Sequence, residues 1–284
     1  MIASTSDDAR ADFGFILRRK IQKVMLKLSS RFGWRRFDPD DFKIENLEVS
    51  IPNLSPVFQG YRIVHISDIH YGQWISSDRL SGVVDLINQI KPDLVVITGD
   101  FVSYLMDSSI EKMAEQLKEL KPKDAVLAVL GNHDHWSGTK KVQAILEKSN
   151  ILNISNNVFV VRKQNAQLVI AGVDSVMLKK DRLDLVLEKM PPNAPAILLV
   201  HEPDFAKKSA TTKRFSLQLS GHSHGGQFVI PGLGTPFRGY AFMRYPLGKH
   251  KVGEMIEYTN RGLGTNDYWL RINCPPEITI ITLR

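Results

Sequence analysis

The sequence predicts an α/β protein built as a four-layer α-β-β-α sandwich with two mixed sheets. Three observations predict it. Residues 41–148 alternate strand-length hydrophobic runs with helical segments, a β-α-β-α-β-α series that places parallel strands in one sheet. Residues 158–284 then supply a second set of strands with only one clear helix, which a second sheet accommodates. Polar fragments rich in Asp, Asn and His stand directly after five hydrophobic runs, and ligands of open α/β sheets gather beyond the carboxyl ends of strands.

Taken in order, residues 1–12 are small and polar and are expected to lack order. Residues 13–28, FGFILRRKIQKVMLKL, read as a helix with Phe13, Ile16, Leu17, Ile21, Val24 and Leu28 near one face. Lys20 and Lys27 intrude on that face, where lysines can snorkel toward lipid headgroups, and Phe15 and Leu26 lie opposite. Trp34, Arg35 and Arg36 follow. The pattern predicts an interfacial anchor, because no apolar stretch approaches the roughly 18 residues that span a bilayer. Arg18-Arg19 also fits a twin-arginine export signal, but the apolar region behind it is broken by Lys27 and no small-residue cleavage site follows. The expectation is a cytoplasmic protein, peripheral on the inner membrane, with residues 1–40 as a basic arm and 41–284 as one domain.

The domain opens with a strand in KIENLEVSI. RIVHIS, a helix over 77–90, DLVVIT, a helix over 109–120, AVLAVL and a helix over 138–148 follow, with Pro92 and Pro122 stopping the first two helices. Further strands are predicted near 158–162, 167–172, 196–200, 215–220 and 226–230, with a helix over 181–189 and a last strand in EITIITL.

Composition bounds the function. The net charge is +7, yet residues 1–36 hold nine Lys or Arg against three Asp, so the domain is nearly neutral. A protein that tracks nucleic acid spreads positive charge over its folded face, so no nucleic-acid partner is expected. No obligate protein partner is evident. Cys274 is the only cysteine, which excludes a disulfide framework and a thiolate zinc site.

The five fragments are Asp68-Ile69-His70, Gly99-Asp100, Gly131-Asn132-His133-Asp134, His201 and Gly221-His222-Ser223-His224. Side chains two apart on a strand point the same way, so Asp68 and His70 are expected to reach one ion, and His222 and His224 to lie side by side. Asp100 can bridge two cations. Carboxylates, imidazoles and one amide without thiolate suit Mn, Fe or Zn in a hydrolytic centre.

The ordered series D-x-H, G-D, G-N-H-D, H and G-H-x-H resembles that of the calcineurin-like metallophosphoesterases. GHSHGGQ, RGLGT and NCPPEITIITLR resemble a bacterial membrane-associated subgroup of that superfamily, which includes phosphodiesterases and a UDP-2,3-diacylglucosamine pyrophosphatase of lipid A synthesis. The resemblance implies two divalent metal ions. One would be held by Asp68, His70, Asp100 and His224, the other by Asp100, Asn132, His201 and His222. It implies that His133 stabilises charge on the transferred phosphorus or protonates the leaving oxygen. It implies a two-metal phosphohydrolase in which a metal-bridged hydroxide attacks a phosphodiester or pyrophosphate bond, on a phosphorylated and plausibly lipid-linked substrate. A relaxed phosphodiesterase is the alternative.

Other residues carry weaker readings. Gly225, Gly226 and Gln227 can offer backbone N–H groups to a phosphate, or simply make a tight turn. His135 is a candidate substrate contact, and Asp134 a residue that orients its neighbours. His65 reads as a packed strand residue and His250 as solvated. TPFRGYAFMRYPLGKHK, residues 235–251, interleaves aromatic and basic residues and reads as a loop able to meet an acyl chain with an anionic headgroup.

Overall fold

The computed structural model describes residues 36–103, 110–232, 243–265 and 269–284, preceded by helical residues 20, 23–25, 27 and 28. Phe13, Ile16, Leu17 and Ile21 of the predicted amphipathic helix lie outside the described residues, as do Phe237, Arg238, Tyr240 and Phe242 of the apolar and basic loop.

The first sheet contains β1 (Lys43–Val49), β2 (Arg62–Ile66), β3 (Leu94–Thr98), β4 (Ala125–Val129), β5 (Leu152–Asn153) and β12 (Glu277–Leu283) in the order β1-β12-β2-β3-β4-β5. All neighbours are parallel except β12 and β2. The second contains β6 (Asn157–Lys163), β7 (Ala166–Gly172), β8 (Ala196–Leu199), β9 (Leu217–Ser220), β10 (Gly248–Val252) and β11 (Met255–Thr259) in the order β10-β11-β9-β8-β7-β6. Its two outer pairs are antiparallel and its centre is parallel. Both sheets are therefore mixed, as the sequence predicts.

Three apolar layers separate the four structural ones. Leu94 and Val96 of β3 meet Ile170, Ile197 and Leu217 of the other sheet, forming the middle core. Val95 and Ile97, on the opposite face, pack under helices α1 (Ser77–Ile90), α2 (Ile110–Leu117) and α3 (Asn132–Lys148). Val169, Leu198 and Val200 pack under α4 (Leu183–Lys189) and α5 (Ala206–Thr211). Strands buried on both faces read as unbroken hydrophobic runs, which is why DLVVIT and AILLV were legible. Each such Val, Ile or Leu contributes roughly 1.5–3 kcal/mol by leaving water.

Helix α1 shows how local sequence sets an element. The Ser76 hydroxyl accepts the Arg79 N–H at its start, and Lys91 ends it with φ of 52°, just before Pro92. Leu80, Val83, Val84 and Ile87 form its buried stripe.

Two expectations are corrected. Residues 226–230 do not form a strand: a short 3₁₀ turn, His224–Gly226, leads to isolated bridges, one of them between Phe228 and Ile272. The turn is fixed by N–H groups bonding back to Ser223 and His224, which removes them from any ladder. The segment 235–251 is not all loop, because Gly248–Val252 is strand β10, paired through a tight turn with β11.

Candidate metal centre

Every ligand candidate lies just past the end of a strand on one edge of the sandwich. Asp68 and His70 follow β2, Asp100 follows β3, Asn132 and His133 open α3 after β4, His201 follows β8, and His222 and His224 follow β9. The side chains gather into two groups, Asp68 with His70 and His224, and Asp100 with His201 and His222.

The strand-alternation argument for these pairs does not hold. β2 ends at Ile66 and β9 at Ser220, so Asp68, His70 and His222 stand in loop and His224 opens the 3₁₀ turn. Asp68, His70, Asp100, His222 and His224 adopt φ between 44° and 66°, a left-handed conformation that non-glycine residues rarely take. Strain of that kind is of order 1–3 kcal/mol per residue and is held by surrounding contacts. Here the contacts are tight glycines. A Cβ on Gly99 would come 2.6 Å from the Gly131 nitrogen and 2.9 Å from His201 Nδ1. One on Gly262, in the RGLGT segment, would meet Asp68 Cβ at 2.7 Å. The loops that carry ligands are pressed onto each other by residues that have no side chain.

The donor atoms converge. His70 Nε2 lies 3.1 Å from His224 Nε2, 3.9 Å from Asp68 Oδ1 and 3.6 Å from Asp100 Oδ2. His224 Nε2 lies 3.5 Å from Asp68 Oδ1. On the other side of Asp100, Oδ2 is 3.1 Å from His201 Nε2, which is 3.1 Å from His222 Nδ1. Donors about 2.1 Å from a common ion stand roughly 3.0–3.4 Å apart in octahedral or tetrahedral arrangements. Asn132 Oδ1 is buried and has no hydrogen-bond partner among the described residues. Such an acceptor is costly unless a cation completes it. The residues therefore fit two ions on either side of Asp100, with the Asn132 oxygen as a further available ligand.

Outer groups fix the imidazoles. His201 Nδ1 donates to the Thr98 carbonyl oxygen at 2.6 Å, which leaves Nε2 as the ligand atom. His70 Nδ1 bonds Ser103 Oγ. The half-buried Arg271 guanidinium reaches His224 and the carbonyl oxygens of Arg261, Gly262 and Gly264, tying the RGLGT loop to the centre. Asp134 accepts N–H bonds from Gly131 at 2.9 Å and from Asp100 and Phe101 at 2.8 Å, so it orients the loops and binds no ion. Removing an outer partner typically weakens metal affinity about 10–100-fold. Ser103→Ala is expected to raise the dissociation constant by that factor, read by competition with a metal chelator; an unchanged constant would show that His70 needs no partner.

Charge complements this geometry. Burial, then the nearby imidazoles of His133 and His224, holds His70 well below its ordinary range, so it is neutral. Burial and Arg271 do the same to His224. Burial opposes a charge on His201, but the Asp100 carboxylate outweighs it and holds His201 well above the ordinary value. Burial would raise Asp100, yet His201 and His133 keep it well below. Burial and the Asp100 charge push Asp134 up to about 7.

His133 is buried at the mouth of the centre, its ring 4.9 Å from that of His70 and 4.8 Å from that of Trp136. The other candidates fall elsewhere. His135 is bonded at both ring nitrogens, to Thr139 and Asp174, which leaves no donor for a substrate. The N–H groups of Gly225, Gly226 and Gln227 go to Ser223 and His224, so the turn reading of these residues stands. His65 is buried against Thr98, and burial pushes it down to about 3. His250 is not free in solvent: its Nε2 bonds the Leu247 carbonyl oxygen. Ser103, Arg271 and the 262–264 glycines escaped the sequence reading, since only RGLGT as a motif pointed toward them.

A two-sheet sandwich with two ligand groups joined by one aspartate defines a binuclear metal-dependent phosphoesterase. The calcineurin-like phosphoesterase family matches residues 61–226. Phosphodiesterase YaeI of Escherichia coli (strain K12) is 31% identical over 261 residues, covering 90% of this chain and 93% of that protein. The metallophosphoesterase YkuE of Bacillus subtilis (strain 168) is 34% identical over 264 residues, covering 89% and 90%. A dimetal phosphatase from Danio rerio superposes with a TM-score of 0.45 at 10% identity, over 72% of this chain and 88% of that one. The chain belongs to the calcineurin-like phosphoesterase family, and it is a hydrolase of phosphoric esters that uses two divalent metal ions.

Proposed function

We propose that this enzyme cleaves phosphodiester bonds in substrates that carry an apolar or lipid group, working at a membrane surface. The observation that carries the chemistry is Asp100 Oδ2, placed 3.6 Å from His70 and 3.1 Å from His201 so that one carboxylate serves both ligand groups. Two cations, when bound, would supply charge that lowers the pKa of a water and polarises phosphoryl oxygens. Asp68, His70, Asp100 and His224 would hold one; Asp100, Asn132, His201 and His222 would hold the other. His133 faces the bound phosphoryl group, bonding its oxygen or donating a proton to the leaving oxygen.

Exposed apolar side chains support the substrate class. Trp136 (46% exposed), Met177, Ile230, Leu270 (53%) and Ile272 all sit on segments at the edge that bears the ligands. Val24 and Leu28 are exposed on the N-terminal helical residues, beside Lys20, Lys23 and Lys27. An acylated nucleotide sugar cleaved at its pyrophosphate, such as UDP-2,3-diacylglucosamine, fits the same rim. The donor set suits manganese, iron or zinc.

Purified enzyme loaded with Mn²⁺ should be assayed on bis(p-nitrophenyl) phosphate, p-nitrophenyl phosphate, single-stranded DNA and the acylated UDP-sugar in mixed micelles. The expected result is diester turnover at least about tenfold above monoester turnover, a gap of about 1.4 kcal/mol in barrier, with the micellar substrate outpacing DNA. Equal monoester and diester rates would overturn the bond assignment. DNA as the fastest substrate would overturn the apolar one.

A further inference from the structure

We infer that His135 and Asp174 are positioning residues, a strut between the two sheets that aims His133 at the phosphoryl group. The inference rests on the reading of His133 given above. Helix α3 is two pieces. Gly138, at φ 112° and ψ 93°, interrupts it, so the turn 132–137 does not inherit its orientation from the helix behind. That turn holds Asn132, His133 and Trp136, and its orientation must come from side-chain bonds.

Such bonds come from both sheets. Asp134 ties the turn to the loop after β3, through the N–H groups of Asp100 and Phe101. The His133 N–H donates to Asp100 Oδ1 at 2.9 Å in that loop. The Ser137 hydroxyl donates to the Ser103 carbonyl oxygen in the same loop. These anchors all stand on one loop of the first sheet and leave the opposite side of the turn untied. His135 ties that side, to the second sheet. Its Nε2 lies 2.7 Å from Asp174 Oδ1, just beyond β7, and a carboxylate there fixes the proton on Nε2. Its Nδ1 lies 2.8 Å from Thr139 Oγ1, on the far side of the Gly138 break. One ring thus joins the turn, the rest of α3 and the opposite sheet.

The foot of the strut is itself braced. Glu202 accepts bonds from the Ser175 hydroxyl at 2.6 Å and from the N–H groups of Val176 and Met177 at 3.0 and 2.9 Å. Asp174 N–H donates to Asn156 Oδ1 at 3.1 Å. Glu202 directly follows His201, so the path runs from one metal-ligand strand, through the 174–177 loop, to the residue two positions after His133. The His135 and Asp174 side chains are 6% and 16% exposed, which protects their bond from competition by water.

The test is a double-mutant cycle on the metal-loaded enzyme, with kcat, KM, metal content and Tm read on a diester substrate. His135→Ala is expected to lower kcat roughly 10–100-fold, the scale of a misplacement near 1 Å, with KM within about threefold and two metals retained. Asp174→Ala should match it, and His135→Gln, which still offers a donor to Asp174, should recover much of the loss. In a His133→Ala background, removing His135 should cost less than about twofold more, because there is no imidazole left to aim. Additive losses in the cycle would reduce the pair to a general stabiliser and overturn the inference. Full turnover in His135→Ala beside an impaired His133→Ala would also overturn it, leaving the role of His133 intact. Full turnover in His133→Ala would overturn that role and the inference together.

Discussion

Asp100→Asn is expected to leave no more than one tightly held ion per chain and to cut turnover by at least about 10³-fold. The reason is geometric. One carboxylate oxygen accepts the His133 N–H at 2.9 Å while the other faces His70 and His201. An amide has a single acceptor oxygen. If it keeps the His133 bond, the NH₂ group points into the centre as a donor among ligands that must be acceptors. If it turns, two N–H groups confront each other in a buried site, an arrangement that costs the desolvation of both. Either way the shared anionic ligand is gone. Metal-derived charge stabilisation is worth several kcal/mol, and every 1.36 kcal/mol is tenfold in rate. Elemental analysis after dialysis, together with kcat, reads the result. A cooperative melt like that of the parent separates loss of ions from loss of fold. Two full metals and activity within about tenfold of the parent would remove Asp100 from the bridging position.

Much of the architecture was legible because burial wrote it into composition. Strands β2, β3, β4 and β8 lie between two apolar layers, and a strand covered on both faces has few polar positions to confuse it. The hairpin β10–β11 escaped because GKHKV is an edge strand whose Lys249 and Lys251 are exposed; charged edges guard against further pairing and look like loop. The start of α3 escaped for a different reason. Its turn 132–137 has no apolar stripe. It is helical because Asp134, His135 and Ser137 are each bonded to other segments.

The candidate site divides in the same way. Ligand identities were legible, since few residue types serve hard cations and their order matches the family. Their geometry was not. Alternation along a strand governs extended backbone only, and these residues stand in left-handed loops whose conformation is imposed by Gly99, Gly131 and Gly262 from distant segments. The outer partners were invisible for the same reason: Thr98 meets His201 across 103 positions of chain and Ser103 meets His70 across 33.

His133→Ala tests the acid rather than the metals. The imidazole is buried against the ring of His70, and the backbone N–H, which the truncation keeps, donates to Asp100. Truncating the ring therefore leaves both ligand groups whole, and two ions per chain are expected by elemental analysis. Turnover should fall roughly 10²–10⁴-fold, the range of a positioned general acid. The loss should depend on the leaving group. A p-nitrophenolate departs without a proton, whereas an alkoxide needs one, so a diester with an alkyl leaving group should suffer more than bis(p-nitrophenyl) phosphate. Equal losses on the two substrates would assign His133 to the phosphoryl oxygens instead, where charge builds whichever group departs. Undiminished turnover on both would take His133 out of the reaction.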